Sequence, residues 1–179
     1  VTSPLGKLSF LVVDDNVNMI QIVKAVLKSF GVEHIYDACG VAEGLAMVRH
    51  HAIDIVILDY KLGPMDGIDF IRVVRNADDS PEPCLPIIML TAYTEETRVR
   101  EARDAGVTEF CCKPVTAAEL YRKIAEVIER PRDFIRTPDY FGPDRRRHHD
   151  AAYSGPERRA LGPGQGLPSE TDALDLKAG

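Results

Sequence analysis

Between Leu8 and Arg130, short apolar runs alternate with segments whose apolar residues recur at every third or fourth position. The runs are LSFLVV, HIYDA, DIVILD, IIML and EFCC. Strands this short, separated by helix-length stretches, give the pattern of a parallel sheet with helices on both faces. Five strands and five helices fit, making a five-stranded parallel, doubly wound α/β domain. In NVNMIQIVKAVLKSFG, Met19, Val23, Val26, Leu27 and Phe30 keep helical spacing, and Gly31 offers a left-handed stop. The last helix is announced by a capping box, Thr116 with Glu119, ahead of Leu120, Ile124, Val127 and Ile128.

At Pro131 the pattern stops. Pro, Gly, Arg and Asp dominate the remaining 49 of 179 residues, and no periodic apolar face runs through them. Ordering the backbone costs about 1 to 2 kcal/mol per residue, so such a segment is expected to stay largely disordered until it meets a partner. The expected organisation is a domain over 1–130, an arginine-rich binding segment over 131–160 and a flexible end over 161–179. Charge divides at the same place: of 22 Lys+Arg and 28 Asp+Glu, 8 of each follow Arg130, so the net charge of -6 belongs to the first part.

No apolar run approaches the roughly 20 residues that cross a bilayer, and VTSPLGKL lacks the regions of a signal peptide. A cytoplasmic protein without membrane insertion is expected. Cys39, Cys84, Cys111 and Cys112 follow no zinc-ligand spacing and read as buried reduced thiols.

In an open parallel sheet, ligands bind beyond the carboxyl ends of the strands. Asp14 and Asp15 end the first run, Asp59 ends the third, Thr91 follows the fourth and Lys113, with Pro114, follows the fifth. Three converging carboxylates repel one another unless a hard cation sits among them, and Mg²⁺ with its preference for oxygen ligands suits that set. A carboxylate attacking a phosphoryl donor there would have the metal, a lysine and a hydroxyl to bind the phosphoryl oxygens. The arrangement suits phosphoryl transfer to an aspartate. An isolated Asp at a strand end or helix cap carries no such meaning; the combination does.

With DD after the first run, VILDY, MDG beginning six residues after Asp59, LTA and CCKPV, residues 8–130 resemble the receiver domain of two-component response regulators. The resemblance implies the flavodoxin-like fold, with a strand order of 2-1-3-4-5. It also implies Asp59 as phosphoacceptor, direct Mg²⁺ ligation by Asp15 and Asp59, and ligation by Asp14 largely through water. The backbone carbonyl of Lys61 is implied as a further metal ligand, with Thr91 and Lys113 sensing the phosphoryl group and a histidine kinase as donor. Two departures stand out: Lys61 replaces a small polar residue common in the family, and Gly63 stands where the family's loop proline falls, with Pro64 one place later. Phe110 is at the family's aromatic switch position; read alone, it is equally a core aromatic.

The tail repeats a phrase. Tyr140, Gly142, Pro143, Asp144, Arg145 and Arg146 match Tyr153, Gly155, Pro156, Glu157, Arg158 and Arg159. A solvated linker explains the composition but not the register, and polyanion binding is weakened by the acid beside each arginine pair. Guanine supplies a reason for the acid: its Hoogsteen edge accepts from an arginine fork, and its Watson–Crick edge donates to a carboxylate. Tyrosine or a second guanidinium can stack on the base, and Gly-Pro sets a turn. Two phrases suit a ligand with two equivalent halves, such as cyclic di-GMP.

A receiver followed by YxGP(D/E)RR phrases also resembles the CheY-like cyclic di-GMP effectors of alphaproteobacteria, the Cle proteins. That resemblance implies cyclic di-GMP binding by Arg145, Arg146, Arg158 and Arg159, with Asp144 and Glu157 reading guanine edges. It implies a partner at the flagellar motor switch or in surface attachment. Arg132, Arg136 and Arg147 lack counterparts in the second phrase, and His148 with His149 lack further ligands for a metal. The expected function is a non-enzymatic signalling adaptor. Its rivals are a stand-alone phosphotransfer receiver acting through Asp59, and a tail that binds RNA or DNA; the tail has no helical period for a folded DNA reader, so DNA is not the expected partner.

Overall fold

The computed structural model describes residues 5–92 and 96–145. Five parallel strands form its sheet: β1 (Ser9–Val13), β2 (His34–Ala38), β3 (Ile55–Asp59), β6 (Ile87–Thr91) and β7 (Glu109–Cys112). Their order is β2-β1-β3-β6-β7, the expected 2-1-3-4-5 arrangement. Helices α1 (Val17–Ser29), α2 (Val41–His50), α3 (Gly67–Asn76), α4 (Glu96–Ala105) and α5 (Ala117–Glu129) make the crossovers. A ribbon, β4 (Lys61–Leu62) with β5 (Met65–Asp66), follows β3.

Alternation within the strands divides the core. Phe10 and Val12 face α1 and α5 with Ile20, Val23, Leu27, Leu120 and Ile124, whereas Leu11 and Val13 face the other layer with Ile68, Phe70, Ile71 and Ala102. Central β3 and β6 are buried throughout, as continuous apolar runs require when both faces are covered. Gly31 adopts φ 83°, the left-handed stop expected after α1. At α5 the cap is one-sided: Thr116 Oγ1 accepts from the Glu119 N–H at 3.2 Å, while both Glu119 carboxylate oxygens accept from Arg122. The cysteine expectation holds in part. All four thiols are free, but only Cys111 is buried: Cys112, its strand neighbour, points to the opposite face, and Cys39 and Cys84 are exposed in connections between elements. Burial pushes the Cys111 thiol up to about 11, so it stays protonated and unreactive.

The expectation of disorder from Pro131 onward fails for its first fifteen residues. β8 (Phe134–Thr137) and β9 (Tyr140–Pro143) pair as an antiparallel hairpin around Pro138-Asp139. The hairpin forms no core of its own; it packs on the C-terminal ends of α3 and α4, borrowing burial that composition alone cannot reveal. The described residues form one compact unit that runs through Arg145, so the domain reaches past Arg130. None of the described helices is long and apolar enough to cross a membrane.

Candidate functional site

The parallel sheet brings Asp14, Asp15 and Asp59 to its carboxyl edge, with ligand oxygens all within 4.8 Å of one another. Asp14 and Asp59 are buried, whereas Asp15 is exposed. Asp14 Oδ1 accepts from the Asn16 N–H at 2.8 Å, but its Oδ2 is buried with no hydrogen-bond partner. Burial holds the Asp14 carboxyl above its ordinary range, and the Asp59 charge adds to that shift. Asp15 Oδ2 accepts from the Gly63 N–H at 2.9 Å. A proline at that position would have no such donor, and φ 67° there suits glycine, so this departure in the loop has a physical role.

Lys113 is the counter-charge, with Nζ 2.8 Å from Asp59 Oδ1 and 3.7 Å from Asp14 Oδ2. The Tyr60 N–H donates to the same Asp59 oxygen at 2.8 Å. Thr91, buried at the end of β6, is tied to the lysine's backbone: the Lys113 N–H donates to Thr91 O at 2.8 Å. Gly67 explains the glycine of MDG, because a Cβ there would lie 2.3 Å from the Asp59 carbonyl oxygen. The Gly67 N–H donates to Tyr60 O, fixing the turn against the end of β3. Lys61 is exposed at the start of the ribbon, opposite Asp66 in the strand register. Phe110 is half-buried against the α2–α4 side of the core.

The donor set fits a hard divalent cation: it is all oxygen, partly buried, and carries an orphaned carboxylate oxygen in a carboxyl group that resists ionisation without a compensating charge. It can hold such a cation and present Asp59 as a nucleophile.

The first tail phrase stands at the opposite edge of the sheet. Gly142 lies against Gly106, where an added Cβ would sit 2.8 Å from the Gly106 Cα and 2.6 Å from Tyr140 Oη. Gly106, at φ 100°, closes the turn between α4 and β7. Tyr140 Oη donates to Pro143 O at 2.8 Å, and the Arg145 guanidinium lies 4.2 Å above the Tyr140 ring while pairing with Asp104 at 3.0 Å. The Asp144 N–H donates to Asp133 O at 2.7 Å. Arg132 donates to Thr108 O and Asp144 O, and Arg136 stacks on Phe141 at 4.2 Å. Arg146, Arg147, His148, His149, Tyr153, Gly155, Pro156, Glu157, Arg158 and Arg159 lie outside the described residues.

Sequence reasoning missed Arg75. It is 1% exposed, donates to Gly106 O at 3.0 Å and Pro83 O at 2.8 Å, and sits 5.0 Å from the Phe134 ring. Burial lowers its pKa to about 10, which leaves it charged at neutral pH. The signal was an arginine beside Val74 on the apolar stripe of GIDFIRVVRN.

Residues 10–125 match the response regulator receiver domain family. The chain is 34% identical over 123 residues to "Chemotaxis protein CheY-3" of Vibrio cholerae, covering 69% of this chain and 93% of that protein. It has the same identity over 123 residues to "Chemotaxis protein CheY" of Pseudomonas aeruginosa, covering 98% of that protein. Among solved structures, CheY4 of Vibrio cholerae superposes with a TM-score of 0.61 at 28% identity, covering 67% of this chain and 98% of that one. A receiver domain protein of Methanospirillum hungatei superposes with a TM-score of 0.61 at 26% identity, covering 69% and 95%.

Proposed function

The chain belongs to the response regulator receiver domain family, and on that premise we propose that it is a signalling adaptor that accepts a phosphoryl group on Asp59, binds cyclic di-GMP through its arginine-rich tail and relays both inputs to a protein partner. The observation that carries the first part is the convergence of Asp14, Asp15 and Asp59 with Lys113.

Two donors, Lys113 Nζ and the Tyr60 N–H, meet on Asp59 Oδ1, so attack on phosphorus falls to Oδ2. The new P–O bond forms as the bond from phosphorus to the donor breaks, the electron pair leaving with the donor. Phosphohistidine of a kinase is the donor class the site fits. Lys113 then moves from the spent carboxylate to a phosphoryl oxygen, and the Thr91 hydroxyl donates to another. Asp14, Asp15, Asp59 and the Lys61 backbone carbonyl would hold Mg²⁺, which would supply neutralisation of the phosphoryl charge. Incubation with acetyl phosphate and Mg²⁺ should add one phosphoryl mass to the intact chain; Asp59→Asn or chelation should prevent it. Labelling that survives Asp59→Asn would overturn the assignment.

The cyclic di-GMP reading is supported by the contacts of the first phrase. Arginine already lies on tyrosine there, as base recognition needs, and Arg145 Nε and Arg132 Nε are buried without acceptors. Arg145, Arg146, Arg158 and Arg159 take the phosphates and Hoogsteen edges, while Asp144 and Glu157 take the Watson–Crick edges. Calorimetry tests it: binding should vanish when the four arginines become Ala, and Asp144→Asn with Glu157→Gln should lose preference for guanine over adenine dinucleotides. The relatives' names point to chemotaxis, which makes the flagellar motor switch the partner to test first.

A further inference from the structure

Arg145 is already engaged within the domain. Its Nη2 pairs with Asp104 in the last turn of α4, where the helix carbonyls add to the carboxylate's negative potential. Its flat face covers Tyr140. Beside this pair, a cavity of about 750 Å³ opens between the hairpin and the ends of α3 and α4, lined by Asn76, Glu101, Asp104, Arg136, Tyr140 and Phe141 among others. The phrase that docks the hairpin is therefore also the phrase assigned to the ligand.

The two uses compete. An Nη2 edge pointed at Asp104 is not available to a phosphate, and turning Arg145 away pulls on Asp144. The backbone of Asp144 is bound on both sides, its N–H to Asp133 O and its carbonyl to Arg132. At the Gly106–Gly142 contact two segments of backbone meet with no room for a Cβ between them. The Arg145–Asp104 pair is partly exposed, with side chains 31% and 51% accessible, so it is a weak hold. A phosphate that accepts from both arms of the guanidinium is the stronger partner.

We propose that the hairpin is a latch: Asp104 and an anionic dinucleotide compete for Arg145, and capture of the phrase by the ligand releases β8–β9 from α3 and α4. Release uncovers Gly106, Arg75 and the ends of both helices, which gives the adaptor a changed surface to offer. The latch rests on the cyclic di-GMP reading above.

Calorimetry on the full chain, with hydrogen exchange over 134–143, separates the two claims. Asp104→Asn removes the internal competitor and should tighten cyclic di-GMP binding by about two- to five-fold, the range of an exposed ion pair. Asp139→Asn makes the same charge change at the hairpin turn and should have a smaller effect. Adding the ligand to the unaltered chain should speed exchange of the hairpin amides. Equal tightening by both variants, no tightening by Asp104→Asn, or slowed hairpin exchange would overturn the latch and leave ligand binding standing. Absence of binding in the unaltered chain and in Asp104→Asn would overturn both.

Discussion

The two edges of the sheet are out of balance in opposite senses. At the carboxyl edge there are too many acceptors: three carboxylates stand against one lysine, and an Asp14 oxygen is orphaned. At the amino edge, beneath the hairpin, there are too many donors, with Arg75 Nη2, Arg132 Nε and Arg145 Nε all buried without acceptors. Buried polar groups are nearly always paired, so each imbalance marks a place where something of the opposite character belongs. One edge suits a cation; the other suits an acceptor. The frames around them differ too, since a parallel sheet fixes the first while two glycines and a borrowed surface fix the second.

The largest test of that contrast is Arg75→Ala. It strands the Gly106 and Pro83 carbonyls and removes the support beneath Phe134, so chemical denaturation should show a loss of about 3 kcal/mol. Phosphorylation of the surviving folded fraction should be preserved, because the acceptor site is at the other edge. Gly142→Ala comes next. The new methyl meets the Gly106 backbone and Tyr140 Oη, and a cost of about 2 kcal/mol should be confined to the hairpin, read as faster amide exchange over 134–143 with the sheet unchanged.

Asp14→Asn should act in the other direction. An acid whose folded pKa is raised contributes stability below its unfolded pKa, and that contribution is lost as pH rises through the folded pKa; at neutral pH the ionised group opposes folding. Without Mg²⁺ the amide should therefore raise stability by about 1 kcal/mol, measured by thermal unfolding at pH 7, while Mg²⁺ affinity falls. If the variant is less stable instead, the acceptor edge is not frustrated and the contrast fails. The smallest effect belongs to Asp104→Ala, at about 0.5 kcal/mol in low salt and less in 1 M salt, because its pair with Arg145 is half in water.

The strands and the carboxylate cluster were legible because each depends on local pattern. Short apolar runs announce strands, and parallel connectivity delivers every run's last residue to one edge, so Asp14, Asp59, Thr91 and Lys113 could be placed together without coordinates. The hairpin was not legible from its own composition. Phe134, Ile135, Tyr140 and Phe141 are too few to make a core, and their burial depends on Gly106 and Arg75, distant in sequence. The short alternation in FIRT and the Pro138-Asp139 turn were its only local marks. Arg75 was obscured by its charge, which burial ordinarily excludes. The departure at Gly63 is explained only by a contact distant in sequence, its N–H on Asp15. The cysteine reading erred at Cys112 because a two-residue period exposes it whenever Cys111 is buried, and at Cys39 and Cys84 because both lie in connections between elements.

The close approach of Gly106 to Gly142 also dictates where the polypeptide can be cut. A receiver ended at Arg130, where the periodic pattern stops, would strip the cover from Arg75 and open the ends of α3 and α4 to water. Loss of activity in such a fragment would then report damage to the domain and say nothing of the tail. Severing after Arg145 keeps the fold's own last strand and removes only residues 146–179, so a comparison of tailed and tailless protein belongs at that bond.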